Sequence, residues 1–176
     1  VPLGVEKHLT DEAQISVFDW HQYVDVGGLR IHCTPARHFS ARTPWDRNQT
    51  LWASWYLEPL NDAAPAVYFA ADSGYAPHFA EIRERLGAPE VVLMPIGAYR
   101  PRWMMRPVHV NPSEALQAFS DLGAGTLIPI HWGTYDLAEE LLHEPPDVLL
   151  KEAEKTELRN AIEVLPVGGQ LLFGEG

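Results

Sequence analysis

Ile15-Ser16-Val17-Phe18-Asp19-Trp20 sets apolar against polar residues in near-alternation, the period of a half-buried strand. Val26-Gly27-Gly28-Leu29 supplies a tight turn and residues 29–33 a returning strand, so a hairpin is expected. Residues 50–57 and 66–71, rich in β-branched and aromatic side chains, predict two more strands, with a turn at Asn61-Asp62-Ala63-Ala64-Pro65 between them. The rhythm then changes. Phe79, Ile82 and Leu86 recur at helical spacing within 77–86, and Gly87 is a natural stop. Val91-Val92-Leu93-Met94 reads as a short, wholly apolar strand. Asn111-Pro112-Ser113-Glu114 opens a helix, with Asn111 as N-cap, Pro112 in the first turn and Glu114 at the third helical position, and Gly123 closes it. Leu127-Ile128-Pro129-Ile130 predicts a buried strand in which Pro129 marks an edge or a strand end. A helix over 149–158 and two last strands, 161–167 and 170–173, complete the expectation. Strands dominate the first third and alternate with helices afterwards, the pattern of a layered α/β or α+β domain.

Composition narrows this picture. A chain of 176 residues, 46% hydrophobic, suits a single domain over 1–176 and is long enough to bury a core without disulfides. A net charge of −11 argues against a general nucleic-acid binder, because phosphate contacts require a surplus of Lys and Arg. Cys33 is the only cysteine, which excludes an intrachain disulfide and a Cys-based zinc motif and suits a reducing, cytoplasmic compartment. No apolar run approaches the roughly 20 residues of a transmembrane helix, and no basic amphipathic helix offers itself to a membrane surface.

Three polar residues fall where a strand gives way to a loop, the place where α/β folds put reactive groups. His38 lies in Thr34-Pro35-Ala36-Arg37-His38-Phe39-Ser40, Asp72 in Ala71-Asp72-Ser73-Gly74-Tyr75, and His131 in Pro129-Ile130-His131-Trp132-Gly133-Thr134. Imidazole and carboxylate are the donors zinc and similar divalent ions take. A carboxylate can bridge two such ions, which acidify water for attack near neutral pH. The plainer alternatives are a hydrogen-bonded structural histidine at a strand end and an ordinary Asp-Ser-Gly turn, and the residues alone leave both open.

Longer stretches carry a resemblance. Pro35-Ala36-Arg37-His38-Phe39-Ser40, Thr50-Leu51-Trp52-Ala53-Ser54-Trp55, Phe69-Ala70-Ala71-Asp72-Ser73-Gly74-Tyr75, Met94-Pro95-Ile96-Gly97-Ala98-Tyr99-Arg100-Pro101-Arg102-Trp103, His109-Val110-Asn111-Pro112, Ile130-His131-Trp132-Gly133-Thr134 and Glu144-Pro145-Pro146 follow one another along nearly the whole chain. In order and spacing they resemble the N-acyl-phosphatidylethanolamine-hydrolysing phospholipase D family of metallo-β-lactamase-fold hydrolases. Bacterial lactonase-type hydrolases share the fold and the ligand order but less of this wording.

The resemblance implies the C-terminal half of a metallo-β-lactamase αββα sandwich and a metal-dependent hydrolase of phosphodiester type, acting on a phospholipid or another small phosphodiester, or on a lactone. It implies a two-ion site, zinc first among the candidates, with His38 on the first ion, Asp72 bridging and His131 on the second. Asp72 and His109 are the implied catalytic residues, His109 near the substrate phosphate or leaving group. Tyr99, Arg100, Arg102 and Trp103 form a basic, aromatic loop implied to face the substrate, the plainer reading being that they pack.

One feature departs from the family pattern. The family's His-x-His-x-Asp-His loop belongs upstream of His38, and no His-x-His occurs among the eight histidines. Val1-Pro2-Leu3-Gly4 has no initiating Met, so a fragment, a processed chain or a partial reading frame is expected. With the N-terminal half absent, each ion would keep two protein ligands, short of the three expected in a catalytic zinc site. Weak or absent metal binding by this chain alone follows, with an exposed sheet face covered by a homodimer partner or by the missing half. The alternative class is a non-catalytic, dimerising remnant or scaffold domain. A site completed across a dimer is a third, although the spare His8, His21 and His32 lack ligand spacing.

Overall fold

Gly27 and Gly28, with φ of 59° and 81°, close the expected hairpin in a computed structural model that describes residues 1–9, 14–61 and 64–173. The turn joins β1 (Tyr23–Val26) to β2 (Leu29–Thr34), with Val26 opposite Leu29 and Tyr23 opposite His32. The outgoing strand is therefore not 15–20. That run makes a single bridge, Phe18 to Pro2, and Phe18 meets Trp55 edge-on at 6.2 Å. A two-residue turn fixes the register on the residues that flank it, so the earlier alternating run packs on the sheet instead of pairing within it. Of the turn expected at 61–65, Asp62 and Ala63 lie outside the described residues.

β3 (Ser54–Pro59), β4 (Val67–Phe69), β5 (Val91–Pro95) and β6 (Thr126–Ile130) extend one sheet in chain order. β1 to β4 are antiparallel, and β4, β5 and β6 are parallel. Parallel neighbours need crossovers. α1 (His78–Leu86) supplies the first, and α2 (Arg102–Met105) with α3 (Pro112–Leu122) the second. The C-terminal ends of β2, β4, β5 and β6 consequently lie along one edge.

The helices end as their sequences dictate. The Asn111 side chain accepts from Glu114 N at 2.8 Å and Glu114 answers at Asn111 N at 3.3 Å, a complete capping box, and Gly123 ends α3 at φ 64°. α4 (Glu144–Ala153) begins earlier than expected, with Pro145 and Pro146 in its first turn, where a missing N–H costs nothing. A 3-10 turn, Glu157–Ala161, follows it. The two strands expected at 161–167 and 170–173 do not form. Ile162 makes one bridge to Leu127, Pro166 lacks the N–H a ladder needs, and the chain turns at Val167-Gly168. β6 therefore ends the sheet, as Pro129 suggested.

Strand alternation gives the sheet two different faces. Tyr56, Tyr68, Val92, Met94 and Leu127 meet Phe79, Ile82, Leu116, Phe119, Leu122 and Leu149 of α1, α3 and α4 in the core. Each such large apolar side chain contributes roughly 1.5–3 kcal/mol when fully buried. The register puts Ile31, Trp55, Leu57, Phe69, Leu93 and Ile128 on the opposite face, where they are half-buried or exposed. Among the described residues no helix is long and apolar enough to cross a membrane.

Candidate metal centre

The strand ends turn sharply. Ala71 after β4, Ala98 after β5 and His131 after β6 have φ of 53°, 56° and 61°, left-handed conformations that cost a non-glycine residue roughly 1–2 kcal/mol. These turns aim Asp72 and His131 into one volume, joined by His38 from beyond β2 and His109 from the segment between α2 and α3.

Backbone links hold those segments together. Arg37 N donates to Ser73 Oγ at 2.9 Å, Gly74 N to Arg37 O at 2.9 Å, and Val110 N to Ser73 O at 2.9 Å. Arg37, Ser73 and Val110 are the chain neighbours of His38, Asp72 and His109, so fully buried Ser73 joins three donor-bearing segments. Two glycines allow the close approach. A Cβ on Gly74 would stand 2.6 Å from Pro107 O, and a Cβ on Gly97 would overlap the His131 carbonyl oxygen.

One donor atom each from His38, Asp72 and His109 lies within 4.8 Å of the other two. His131 Nε2 is 3.2 Å from Asp72 Oδ1, and its ring stacks on His109 at 5.4 Å. His38 Nδ1 donates to its neighbour's carbonyl, Phe39 O, at 2.8 Å, which leaves a lone pair on Nε2. That Nε2 and His109 Nδ1 are buried without a hydrogen-bond partner. Buried polar atoms are nearly always satisfied. Two unpartnered imidazole nitrogens beside a carboxylate fit a divalent cation by donor type, spacing and tautomer.

Electrostatics agree with this fit. Burial pushes the Asp72 carboxyl up, but the His131 hydrogen bond and the three neighbouring imidazoles outweigh it and hold Asp72 below its ordinary value. The bond to Asp72 raises His131 against the opposing effect of burial. Burial drops His109 to about 4, keeping its ring neutral at neutral pH.

Of the expected site residues, the structure gathers His38, Asp72, His109 and His131. Tyr99, Arg100, Arg102 and Trp103, the residues expected to face the substrate, stand outside this donor cluster. Tyr99 is buried, its hydroxyl donating to Glu144 at 2.9 Å. Arg102 donates to His109 O at 2.9 Å and to Glu114 at 2.7 Å, bracing the His109 segment from outside, and Arg100 pairs with Glu144 at 2.8 Å. Trp103 stands on α2, 82% exposed. The spare His32 pairs with Glu58 at 2.9 Å, outside the donor cluster. Sequence reasoning missed Ser73, Gly74 and Gly97, although Ser-Gly directly after a donor and Gly directly after a strand were available signals. It also missed Glu140, whose buried carboxylate accepts from Tyr99 N at 3.1 Å and Arg100 N at 3.0 Å. That contact spans 40 residues and leaves no local trace.

A mixed sheet whose strand ends bring three histidines and an aspartate together is a layered α/β architecture with a candidate metal site. The family model described as Beta-lactamase superfamily domain matches residues 1–132. The chain belongs to this superfamily and has the metallo-β-lactamase fold. It is 41% identical over 177 residues to an uncharacterized protein of Mycobacterium tuberculosis, covering 97% of this chain and 45% of that one. It is 35% identical over 162 residues to the mitochondrial N-acyl-phosphatidylethanolamine-hydrolyzing phospholipase D of Saccharomyces cerevisiae, covering 88% of this chain and 34% of that protein. The chain thus spans less than half the length of these curated relatives. Among solved structures, Igni18, a metallo hydrolase from Ignicoccus hospitalis, superposes with a TM-score of 0.71 at 22% identity, covering 98% of this chain and 68% of that one. The isothiocyanate hydrolase from Delia radicum gut bacteria gives 0.64 at 16%, covering 90% and 59%. At these identities the two structures speak for the fold alone.

Proposed function

We propose that this chain carries part of the metal centre of a hydrolase that cleaves phosphodiesters, a phospholipid being the first candidate substrate. The observation that carries the reading is the pair of unpartnered nitrogens, His38 Nε2 and His109 Nδ1, converging on Asp72. The yeast relative, an N-acyl-phosphatidylethanolamine-hydrolyzing phospholipase D, supports the phosphodiester class. Zinc is the first candidate, since it takes imidazole and carboxylate donors together. A bound divalent ion polarises a phosphoryl oxygen and lowers the pKa of water. The protein's own groups do the positioning. Asp72 holds His131 through their hydrogen bond, and the Phe39 carbonyl fixes the tautomer of His38. Neutral His109 stands at the centre of the cluster, within reach of a phosphate oxygen or a leaving group.

Two ions would have to share four side chains, so we infer that further donors from outside this chain complete the centre and that the chain alone binds metal weakly. Calorimetric titration of the purified chain with zinc, on the wild type, H38A, D72N and H131A, tests both statements. Weak uptake that falls at least tenfold in D72N is expected, with little hydrolysis of bis(p-nitrophenyl) phosphate. Uptake indifferent to D72N and H38A would remove the metal centre. A nanomolar site in a monomer would overturn its incompleteness.

The apolar second face of the sheet supports a protein partner, either a copy of this chain or the rest of a longer polypeptide. Sedimentation showing a stable monomer at high dilution would exclude the dimer.

A further inference from the structure

Beside the metal centre the 131–143 loop and the turn after β5 line an open-mouthed cavity of about 260 Å³. Gly97 and Ala98 form part of its wall, with Trp132, Leu137, Leu142 and Pro145, and His131 lies in the lining as well as in the donor cluster. The cavity therefore begins where the metal centre ends.

Its chemistry is one-sided. No Lys or Arg lines it. The acids are Asp136, exposed, and Glu140, whose carboxylate is already bonded to Tyr99 N and Arg100 N. Apart from His131 at its metal-centre end, an anion entering here would meet negative charge and no basic side chain. Tyr135, Leu137 and Leu141, also in the lining, are 75%, 69% and 76% exposed, an apolar concentration that a soluble surface seldom carries without a ligand to meet it. The walls are fixed before any ligand arrives. Trp132 Nε1 donates to Pro129 O at 3.0 Å, Ile96 N to Ile130 O at 3.1 Å, and Glu140 pins the loop to the 99–100 backbone.

We propose that this cavity receives the uncharged hydrocarbon end of the substrate, an alkyl or aryl group, while the ester to be cleaved lies at His131. At about 30 Å³ for each water-sized group, the space holds roughly nine non-hydrogen atoms. The assignment to a substrate rests on the metal-centre reading, whereas the cavity's affinity for hydrocarbon does not.

The test therefore has two arms. In the first, metal-free protein is titrated with 1-butanol, 1-octanol, 1-dodecanol and octanoate, with binding followed by ligand-observed NMR. Affinity should rise from butanol to octanol and level off by dodecanol, and octanoate should bind at least tenfold more weakly than octanol. A138W, which puts an indole at a lining position, and L137D, which charges the mouth, should each weaken octanol at least tenfold. Octanol binding indifferent to both A138W and L137D, or octanoate binding equal to octanol, overturns the proposal. In the second arm, zinc-loaded protein is offered methyl phosphate and octyl phosphate. Octyl phosphate should bind at least tenfold more tightly, with A138W erasing the difference. Equal affinity for the two phosphates, with octanol still bound, overturns the substrate assignment. Loss of zinc uptake alone, with octanol binding intact, counts against the metal centre and not the cavity.

Discussion

Gly74→Ala is the sharpest probe of how the donor cluster is built. The added Cβ would stand 2.6 Å from Pro107 O, 2.8 Å from Pro107 C and 3.0 Å from Arg106 O, all backbone atoms with no rotamer to yield. Ordinary van der Waals contact begins near 3.4 Å, so the 106–107 backbone must retreat by roughly 0.8 Å, an overpacking that typically costs 1–3 kcal/mol. His109 lies two residues beyond Pro107, and the adjacent Val110 N–Ser73 O bond of 2.9 Å holds it beside Asp72. Separating those segments should also lower zinc affinity, by the roughly 10–100-fold that supporting partners of metal ligands command. The assay pairs urea denaturation without metal with calorimetric zinc titration. Gly125→Ala is the control. Its Cβ would crowd Glu90 O at 3.0 Å at the far end of the sheet, so it should cost stability and leave zinc affinity alone. Equal loss of zinc affinity in both variants, or none in Gly74→Ala, refutes the reasoning.

Ser73→Ala leaves the Arg37 N–H without its acceptor, so it should cost about 1–3 kcal/mol in urea denaturation and weaken zinc; unchanged zinc affinity would count against Ser73 as the link between donor segments. His78 is buried, and burial lowers it from 6.5 to about 4. The folded state binds its proton less readily than the unfolded chain does, so this contribution is complete above pH 6.5 and is lost as pH falls through about 4. The drop corresponds to about 3 kcal/mol, and His78→Gln should flatten the stability–pH slope between those limits; a slope equal to the wild type's would contradict it. Burial pushes the Cys33 thiol up to about 11, so iodoacetamide at pH 8 should label it only after denaturation, and rapid labelling of the native protein would show the thiol to be accessible.

How far the sequence could be read depended on whether a signal was local. α3 was legible because its cap, first-turn proline and closing glycine are all near neighbours in the chain. The hairpin turn was legible too, but not its outgoing strand. Alternation over 15–20 suits a segment lying on a sheet as well as one within it, and the two-residue turn decides in favour of Tyr23–Val26. The apolar residues after Ala161 were misread for a similar reason, since one bridge at Ile162 satisfies what had looked like strand periodicity. His38, Asp72 and His131 announced themselves by following strands. His109 did not, because a short helix and an irregular segment bring it in. Its place among the donors depends on Ser73, 36 residues earlier in the chain, and on Arg102, which grips its carbonyl.

These links separate two properties of the sheet that the resemblance would join. The donor-bearing segments are tied to one another at Ser73, Gly74 and Arg37, all at the strand ends, and none of these bonds involves the apolar face displaying Trp55, Leu57 and Leu93. The donor cluster is therefore set by loop-to-loop contacts within this chain, and covering the face has no reason to rearrange it. A partner that completes the metal centre must add donors to a cluster already arranged, so its effect should fall on metal affinity and leave the His131–Asp72 bond in place. Histidine NMR of the metal-free chain, alone and with its partner, distinguishes the cases. An unchanged His131 signal on partner binding matches a cluster built in advance, and a shifted one means that the covered face and the centre are coupled.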